Sequence, residues 1–261
     1  MKRVLFVLLL AGCASAPSDR ARPGGSVEVP VSQQAAVGDA RVRSAAHTEL
    51  GALYLQNGQM NIALDEANTA IAADPGYALA HKLRAMVLMF LRDDAGARAS
   101  FEKASSLAPE DPEVNNDYGW FLCRSGQEAA GLALLGRAAA HPLYRTPTRA
   151  WFNAGLCALR LKDDAAAEEY FRKAVGADAT NSAALFQYAD ALRRRGAHAL
   201  ARGVVAQLHA LQEPNAETLW LALRIEHALG DRQAEARLAA QLRRGFRDSP
   251  QYQDYLQGKL E

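Results

Sequence analysis

The sequence lacks the residue patterns that mark a catalytic centre or a metal site. It has no Gly-rich phosphate loop and no nucleophile elbow, so neither nucleotide chemistry nor serine-hydrolase chemistry is indicated. Its histidines form no His-x-x-x-His pair and no cluster with cysteines or carboxylates at ligand spacing. The six are His47, His81, His141, His198, His209 and His227. We therefore predict a protein that is not an enzyme, with no metal, no cofactor and no small-molecule substrate.

Net charge is almost absent too. The 261 residues carry a formal net charge of +1, with 49% hydrophobic and 23% charged residues. A near-neutral balance gives no electrostatic reason to expect a nucleic-acid partner. The apolar content is enough to bury a sizeable core, in one elongated domain or two compact ones.

The hydrophobic run at the N-terminus is too short to span a bilayer. Residues 1–12 contain Lys2-Arg3, an apolar stretch and small residues, which is typical of a bacterial signal peptide. The residues Leu10-Ala11-Gly12-Cys13 resemble a lipobox, in which the cysteine is acylated and becomes the new N-terminus. We predict lipidation of Cys13. The alternative is an ordinary signal peptide with an incidental cysteine.

Residues 13–43 predict a flexible tether, because they are rich in Pro, Ser, Gly, Ala and Val and have no helical apolar stripe. Acyl chains on Cys13 would hold the protein on a bilayer, since each buried methylene contributes roughly 0.8 kcal/mol. Ala14 stands where an aspartate would resemble an inner-membrane retention signal. We therefore predict a lipid-anchored protein on the periplasmic face of the outer membrane.

A period of 34 residues organises the chain after Arg43. Trp151, Ala154-Gly155 and Ala158 fall on one stripe of a helix, and Ala167, Phe171 and Ala174 form the matching stripe of a second. These stripes resemble the tetratricopeptide signature. The predicted units lie near 44–77, 78–111, 112–145, 148–181, 182–215 and 216–248, and together they make a repeat domain of residues 44–248. We predict an all-α fold, a right-handed superhelical solenoid of about six tetratricopeptide helix-turn-helix repeats.

Two departures from the repeat stand out. The third unit has Gly131 and Leu135 where alanine and phenylalanine are usual, and it runs into two prolines between His141 and Pro147. Residues 249–261 open with Ser249-Pro250, which resembles an N-cap followed by proline at the first helical position. We predict that they form a helix that covers the apolar end of the stack.

The inner face of the first helices carries large apolar side chains. A row of such side chains on a surface that is expected to face solvent indicates a groove for an extended or helical peptide. The candidate residues are Leu55, Met86, Met89, Phe90, Asn116, Trp120, Phe152 and Leu156. The alternative is that several of them pack against neighbouring repeats.

Cys123 and Cys157 lie near the ends of first helices in consecutive units. A disulfide between them would be reasonable in an oxidising periplasm and would stabilise the fold by roughly 3 to 4 kcal/mol. Two buried free thiols are the alternative, because the sequence does not give the Cα separation.

Three segments carry a more specific resemblance. They are Asn115-Asn116-Asp117-Tyr118-Gly119-Trp120-Phe121-Leu122-Cys123, Asn153-Ala154-Gly155-Leu156-Cys157 and Phe246-Arg247-Asp248-Ser249-Pro250-Gln251-Tyr252. With the lipobox, tether and repeats, they resemble the type IV pilus biogenesis and stability lipoproteins of the PilF/PilW type. Asp117 is a small departure, since asparagine is expected there in that family.

The resemblance implies a pilotin, an outer-membrane lipoprotein that binds secretin subunits. Such a protein would promote their membrane localisation, multimerisation or stability for type IV pilus biogenesis and twitching motility. The alternative is a tetratricopeptide lipoprotein that scaffolds other envelope assembly factors or peptidoglycan enzymes.

Overall fold

A computed structural model describes residues 29–260, and this part of the chain is a row of α-helices without a strand. The helices are α1 (Asp39–Gln56), α2 (Met60–Ala73), α3 (Ala78–Phe90), α4 (Asp94–Leu107), α5 (Pro112–Arg124), α6 (Glu128–Ala140), α7 (Pro147–Arg160), α8 (Asp164–Ala177), α9 (Ser182–Arg194), α10 (His198–Leu211), α11 (Ala216–Leu229), α12 (Arg232–Gly245) and α13 (Pro250–Leu256). A short 3₁₀ turn, Val31–Gln33, precedes them. The predicted all-α class is confirmed.

The helices form two layers. Each predicted unit corresponds to one helix pair, although α1 and α7 begin before the predicted starts of their units, and α13 follows the sixth pair. The first helices of neighbouring repeats contact one another: α1 contacts α3, α3 contacts α5, α5 contacts α7, and α9 contacts α11. The inner side of a curved stack brings its elements closer together than the outer side. The odd-numbered helices therefore line the concave side, where the groove candidates lie.

Small residues let the paired helices approach, and large ones fill the space between repeats. Ala97 and Ala167 are fully buried on second helices, and so are Phe101 and Phe171 four residues further along each helix. Gly155 is placed so that an added Cβ would lie 2.4 Å from the ring of Phe171. Each large side chain buried in this way contributes about 1.5–3 kcal/mol.

Aspartates set the start of several second helices. The side chain of Asp93 accepts from the backbone N–H of Gly96 at α4, and Asp163 accepts from Ala166 at α8. These bonds satisfy amide groups that have no partner inside the helix. At α13, Ser249 accepts from the N–H of Tyr252, with proline in the first turn. The N-cap expected at Ser249 is therefore present, and Asp93 and Asp163 are local signals of the same kind.

The structure moves the boundary of the predicted tether. Residues 1–28, with the predicted signal peptide, Cys13 and the first part of the predicted tether, lie outside the described residues. In the described part, α1 begins at Asp39 and Pro30 is buried. The side chain of Arg41 is paired with that of Asp74, and the backbone N–H of Ser32 donates to Asp111 at 2.7 Å. The prediction of a free tether up to residue 43 is therefore wrong for residues 29–43, because long-range polar contacts hold them.

None of the described helices is both long enough and apolar enough to cross a membrane.

Candidate functional site

Four of the predicted groove residues lie together. A hollow of about 210 Å³ on the concave side is bounded by α3, α4, α5 and α7. It is lined by Met86, Met89, Phe90, Phe101, Asp117, Trp120, Arg149 and Asn153. It spans three repeats, so no single repeat forms the site.

The apolar wall of the hollow comes from α3 and α5. Phe90 is 52% exposed, Met86 and Trp120 are half-buried, and Met89 is buried. Phe90 is the last residue of α3, where no following turn of that helix covers it. Met86 packs partly against the cluster around Phe101, which holds this wall in place.

The floor of the hollow is formed by Asp117 and Arg149, which belong to an ion-pair network across three repeats. Asp117, whose side chain is 6% exposed, lies 3.2 Å from the Nζ atom of Lys82 and is also paired with Arg149. Arg149 lies 3.2 Å from Glu113 as well. Two cations and two carboxylates therefore balance, and the network carries no net charge.

The same network fixes the protonation of its arginine. Burial lowers the pKa of Arg149, but the nearby Asp117, Tyr144 and Glu113 raise it, and the net direction is upward. The guanidinium therefore stays charged and remains paired with the buried carboxylate of Asp117.

Asn116 belongs to the support of the groove and not to its surface. It is fully buried, its Oδ1 atom accepts from Nδ2 of Asn153 at 3.0 Å, and its Nδ2 atom donates to Asp117 at 2.9 Å. Because no part of Asn116 reaches solvent, its prediction as a partner-contacting residue is wrong. Its amide joins α5 to α7 and orients the carboxylate of Asp117.

The other three candidates pack largely between helices, as the alternative interpretation allowed. Leu55 packs against the cluster of Ala63, Ala67, Leu83 and Val87. Leu156 and Phe152 pack against the cluster around Phe171, and the rings of Phe152 and Phe171 are 5.8 Å apart. Phe152 also lines a second hollow of about 510 Å³ with residues that include Arg145, Pro147, Asp178 and Asn181.

A disulfide joins Cys123 to Cys157, with their Cα atoms 5.5 Å apart. The bond ties α5 to α7, the two helices that carry the Asn116–Asn153 and Asp117–Arg149 contacts. It therefore helps to set the spacing between the parts of the floor that these two helices supply.

The groove predicted from the sequence did not include Asp117, Arg149 or Asn153. A usable signal was present, because Lys82, Asp117 and Arg149 are opposite charges about one repeat apart on successive first helices. Such residues face one another across a repeat stack. Within residues 29–260, no group of three or more His, Cys, Asp or Glu side chains is arranged to hold a metal ion.

Comparison with known proteins agrees with this architecture. The family model "Tetratricopeptide repeat" matches residues 148–181, the fourth repeat. The type IV pilus assembly protein PilF of Pseudomonas aeruginosa is 29% identical over 210 residues, 80% of this chain and 83% of that protein.

Two solved structures are similar over nearly their whole length. The crystal structure of PilW, described as a widely conserved type IV pilus biogenesis factor, is 31% identical with a TM-score of 0.74, covering 82% of this chain and 98% of that one. The structure of Pseudomonas aeruginosa pilF is 27% identical with a TM-score of 0.75, covering 85% and 100%.

Proposed function

Because the chain belongs to the family of tetratricopeptide-repeat proteins of type IV pilus biogenesis, we propose that it is a pilotin anchored to the outer membrane. In this proposal it binds secretin subunits and promotes their localisation, multimerisation or stability. The Cys13 acyl chains are its anchor, and the hollow between α3, α5 and α7 is its binding site.

The observation that carries the proposal is the apolar wall of Met86, Phe90 and Trp120 on the concave side. Phe90 is 52% exposed although it stands beside a packed core. Its burial by a partner would contribute roughly 25 cal/mol per Å² of apolar area, less the costs of association. A solvent-exposed aromatic side chain at the edge of a hollow is a typical anchor for a peptide.

The neutral floor indicates the kind of segment that fits. Lys82 and Arg149 are already paired with Asp117 and Glu113. A charged side chain placed against this floor would have to compete with an existing pair and lose its own hydration. An apolar segment with uncharged polar neighbours avoids that cost, so we propose this type of secretin segment as the ligand.

Anchoring would then act by raising the local concentration of secretin subunits at the membrane. A tethered binding site meets its partner at an effective concentration set by the length of the tether, without any new contact. Secretin subunits captured in this way would accumulate at the membrane into which they must insert.

The test uses a strain in which the gene is deleted and restored with variants, and it follows secretin multimers on gels without boiling. We expect Phe90→Glu to reduce the multimer, because it places a charge on the apolar wall. The matched control is Leu200→Glu on α10, at a leucine that is 66% exposed and far along the chain from the hollow. We use Phe90 instead of Phe152, since Phe152 packs on Phe171 and its loss would disturb the fold.

A second variant tests the anchor. Restoration with Cys13→Ala should leave the secretin mislocated or unassembled, while the wild-type copy restores it. If multimers form normally in the deletion strain, the pilotin proposal fails, and the protein is then a scaffold for other envelope factors or peptidoglycan enzymes. If the deletion strain loses its multimers but the Phe90→Glu copy restores them as well as the wild-type copy does, the hollow is not the binding site.

A further inference from the structure

We propose that residues 29–34 form a strap that docks where the second and third repeats meet and fixes the place where the N-terminal tether leaves the solenoid. The strap contains the 3₁₀ turn Val31–Gln33 and touches α3. Pro30 is buried, although it stands before the first tetratricopeptide helix. The strap therefore packs on repeats that are distant from it in sequence.

Two hydrogen bonds hold the strap. The backbone N–H of Ser32 donates to Oδ2 of Asp111 at 2.7 Å, across 79 residues of sequence. The side-chain amide of Gln33 donates to the backbone carbonyl of Leu143, in the loop before α7. A third bond, from Nε2 of Gln34 to the carbonyl of Val29 at 2.6 Å, closes the turn itself.

Asp111 serves the strap and α5 with different atoms. Its Oδ1 atom caps α5 by accepting from the N–H groups of Glu113 at 3.0 Å and Val114 at 3.2 Å. Its Oδ2 atom accepts from Ser32. Asp111 is 3% exposed, so the strap bond is a charge-assisted bond largely shielded from water. No other aspartate that caps a described helix accepts a backbone N–H from another repeat through its second oxygen.

After the strap, the chain returns to the first repeat. Arg41 in α1 is paired with Asp74, and its guanidinium lies 4.9 Å from the ring centre of Tyr77. Asp74 and Tyr77 lie in the turn between α2 and α3, and Asp111 lies in the turn between α4 and α5. The chain thus runs along the edge formed by the turns between repeats, and it enters that edge where the second and third repeats meet.

The groove helices begin at the same edge. Asp117, in the floor of the hollow, comes six residues after Asp111, which is about 9 Å along α5. The strap therefore brings the N-terminal segment to the end of the helices that carry the proposed binding site. Without the strap, the N-terminal segment would leave at the first turn of α1.

The consequence for anchoring rests on the proposed function, including acylation of Cys13. Sixteen residue steps separate Cys13 from Val29 and can span at most about 55 Å. If the strap were released, the anchored stretch would extend to Asp39, and its limit would rise to about 90 Å. Docking thus keeps the hollow closer to the acyl group and directs one edge of the solenoid toward the membrane.

Hydrogen exchange on the full-length protein purified in detergent tests the strap with Asp111→Asn. Asparagine is as good an N-cap as aspartate, so its carbonyl oxygen can still cap α5. The NH₂ group that replaces Oδ2 cannot accept from Ser32. We expect the amides of Ser32, Gln33 and Gln34, which are hydrogen-bonded in the strap, to exchange at least about tenfold faster than in the wild type, while the first turn of α5 stays protected.

Asp93→Asn is the matched control, since Asp93 caps α4 and has no bond to the strap. It should leave the amides of Ser32, Gln33 and Gln34 as protected as in the wild type. Gln33→Ala should accelerate the same amides by removing the bond to Leu143. If the amides of Ser32, Gln33 and Gln34 in the wild type exchange at the rate of an unstructured peptide, or if Asp111→Asn leaves their rate unchanged, no strap exists.

The strap can be tested separately from the proposed function. A Cys13→Ala protein should show the same protection of the amides of Ser32, Gln33 and Gln34, because docking uses no acyl chain. Secretin multimers that do not depend on this protein would refute the pilotin proposal, and the exchange measurement would still decide whether the strap is docked.

Discussion

Gly131, which departs from the repeat pattern, is required by its neighbours. A Cβ built on it would lie 2.4 Å from Sγ of Cys123 and 2.6 Å from the carbonyl oxygen of Gly119. Both distances are shorter than the contacts that Cβ atoms make with non-bonded atoms in proteins. The disulfide and the close approach of α5 to α6 therefore explain why alanine, usual at this position of the repeat, is absent.

We predict that Gly131→Ala destabilises the protein by about 1–3 kcal/mol, because the backbone of α6 must move to fit one methyl group. The matched control is Gly136→Ala in the same helix, where an added Cβ meets nothing within 4 Å. That change should stabilise by about 0.5–1 kcal/mol, since alanine favours the helix over glycine. Urea unfolding monitored by circular dichroism measures both. Equal effects of the two changes would contradict the steric explanation.

Two turns contain a residue in the left-handed region that is not glycine. Arg92 has φ of 65° and Lys162 has φ of 59°, whereas the turns of the other repeats have glycines there, among them Gly126 and Gly196. A side chain with a Cβ costs roughly 1–2 kcal/mol in this conformation. Replacement by glycine would remove this cost. It would also raise the conformational entropy of the unfolded chain, which offsets part of the gain in stability.

We therefore expect Arg92→Gly and Lys162→Gly each to stabilise by about 0.5–1 kcal/mol in thermal or urea unfolding. Arg124→Gly is the control, because Arg124 is the last residue of α5 and has a negative φ. There glycine should destabilise by up to about 1 kcal/mol. Destabilisation by Arg92→Gly of the same size would show that φ does not decide the outcome.

At the scale of elements, the sequence predicts helices better than it predicts their exposed residues. Period and caps depend on neighbours within one helix, so α4, α8 and α13 start where Asp93, Asp163 and Ser249 indicate. Exposure on the inner face depends on which side chains the next repeat presents. Asn116 is buried for this reason, whereas Phe90 remains exposed.

The docked strap shows the same limit. Residues 29–34 have no helical stripe, and their partners Asp111 and Leu143 are about 80 and 110 residues away. The composition of these residues shows that they lack helical periodicity. It does not show a hydrogen bond to a residue so distant in sequence. The prediction of a tether therefore extended too far along the chain.

The disulfide between α5 and α7 gives a prediction about these two elements. Loss of a bond that closes a 34-residue separation should cost about 3–4 kcal/mol. We expect this loss in a Cys123→Ala, Cys157→Ala variant and in the reduced wild type, by urea unfolding with and without reductant. Reductant should not change the double variant, and a wild type insensitive to reductant would mean that the bond does not stabilise the fold.

At the scale of the whole molecule, a repeat stack has two ends that no further repeat covers. Each repeat buries its apolar faces only against its neighbours, so a terminal repeat needs a cap. At the C-terminal end, α13 packs against both α11 and α12. Its rings of Tyr252 and Tyr255 are half-buried, with centres 6.4 Å apart. This short helix is therefore the element that closes the stack.

Truncation after Asp248 should expose the apolar surface under α13 on the last helix pair. We expect a stability loss of about 2–4 kcal/mol, from two half-buried tyrosines and their neighbours, with a lower Tm. We also expect self-association in light scattering, because an uncapped end can pair with a second uncapped end. Leu256→Glu is the control, since Leu256 in α13 is 60% exposed and should leave both measurements unchanged. A truncated protein that stays monomeric at the wild-type Tm would show that the last repeat closes the solenoid by itself.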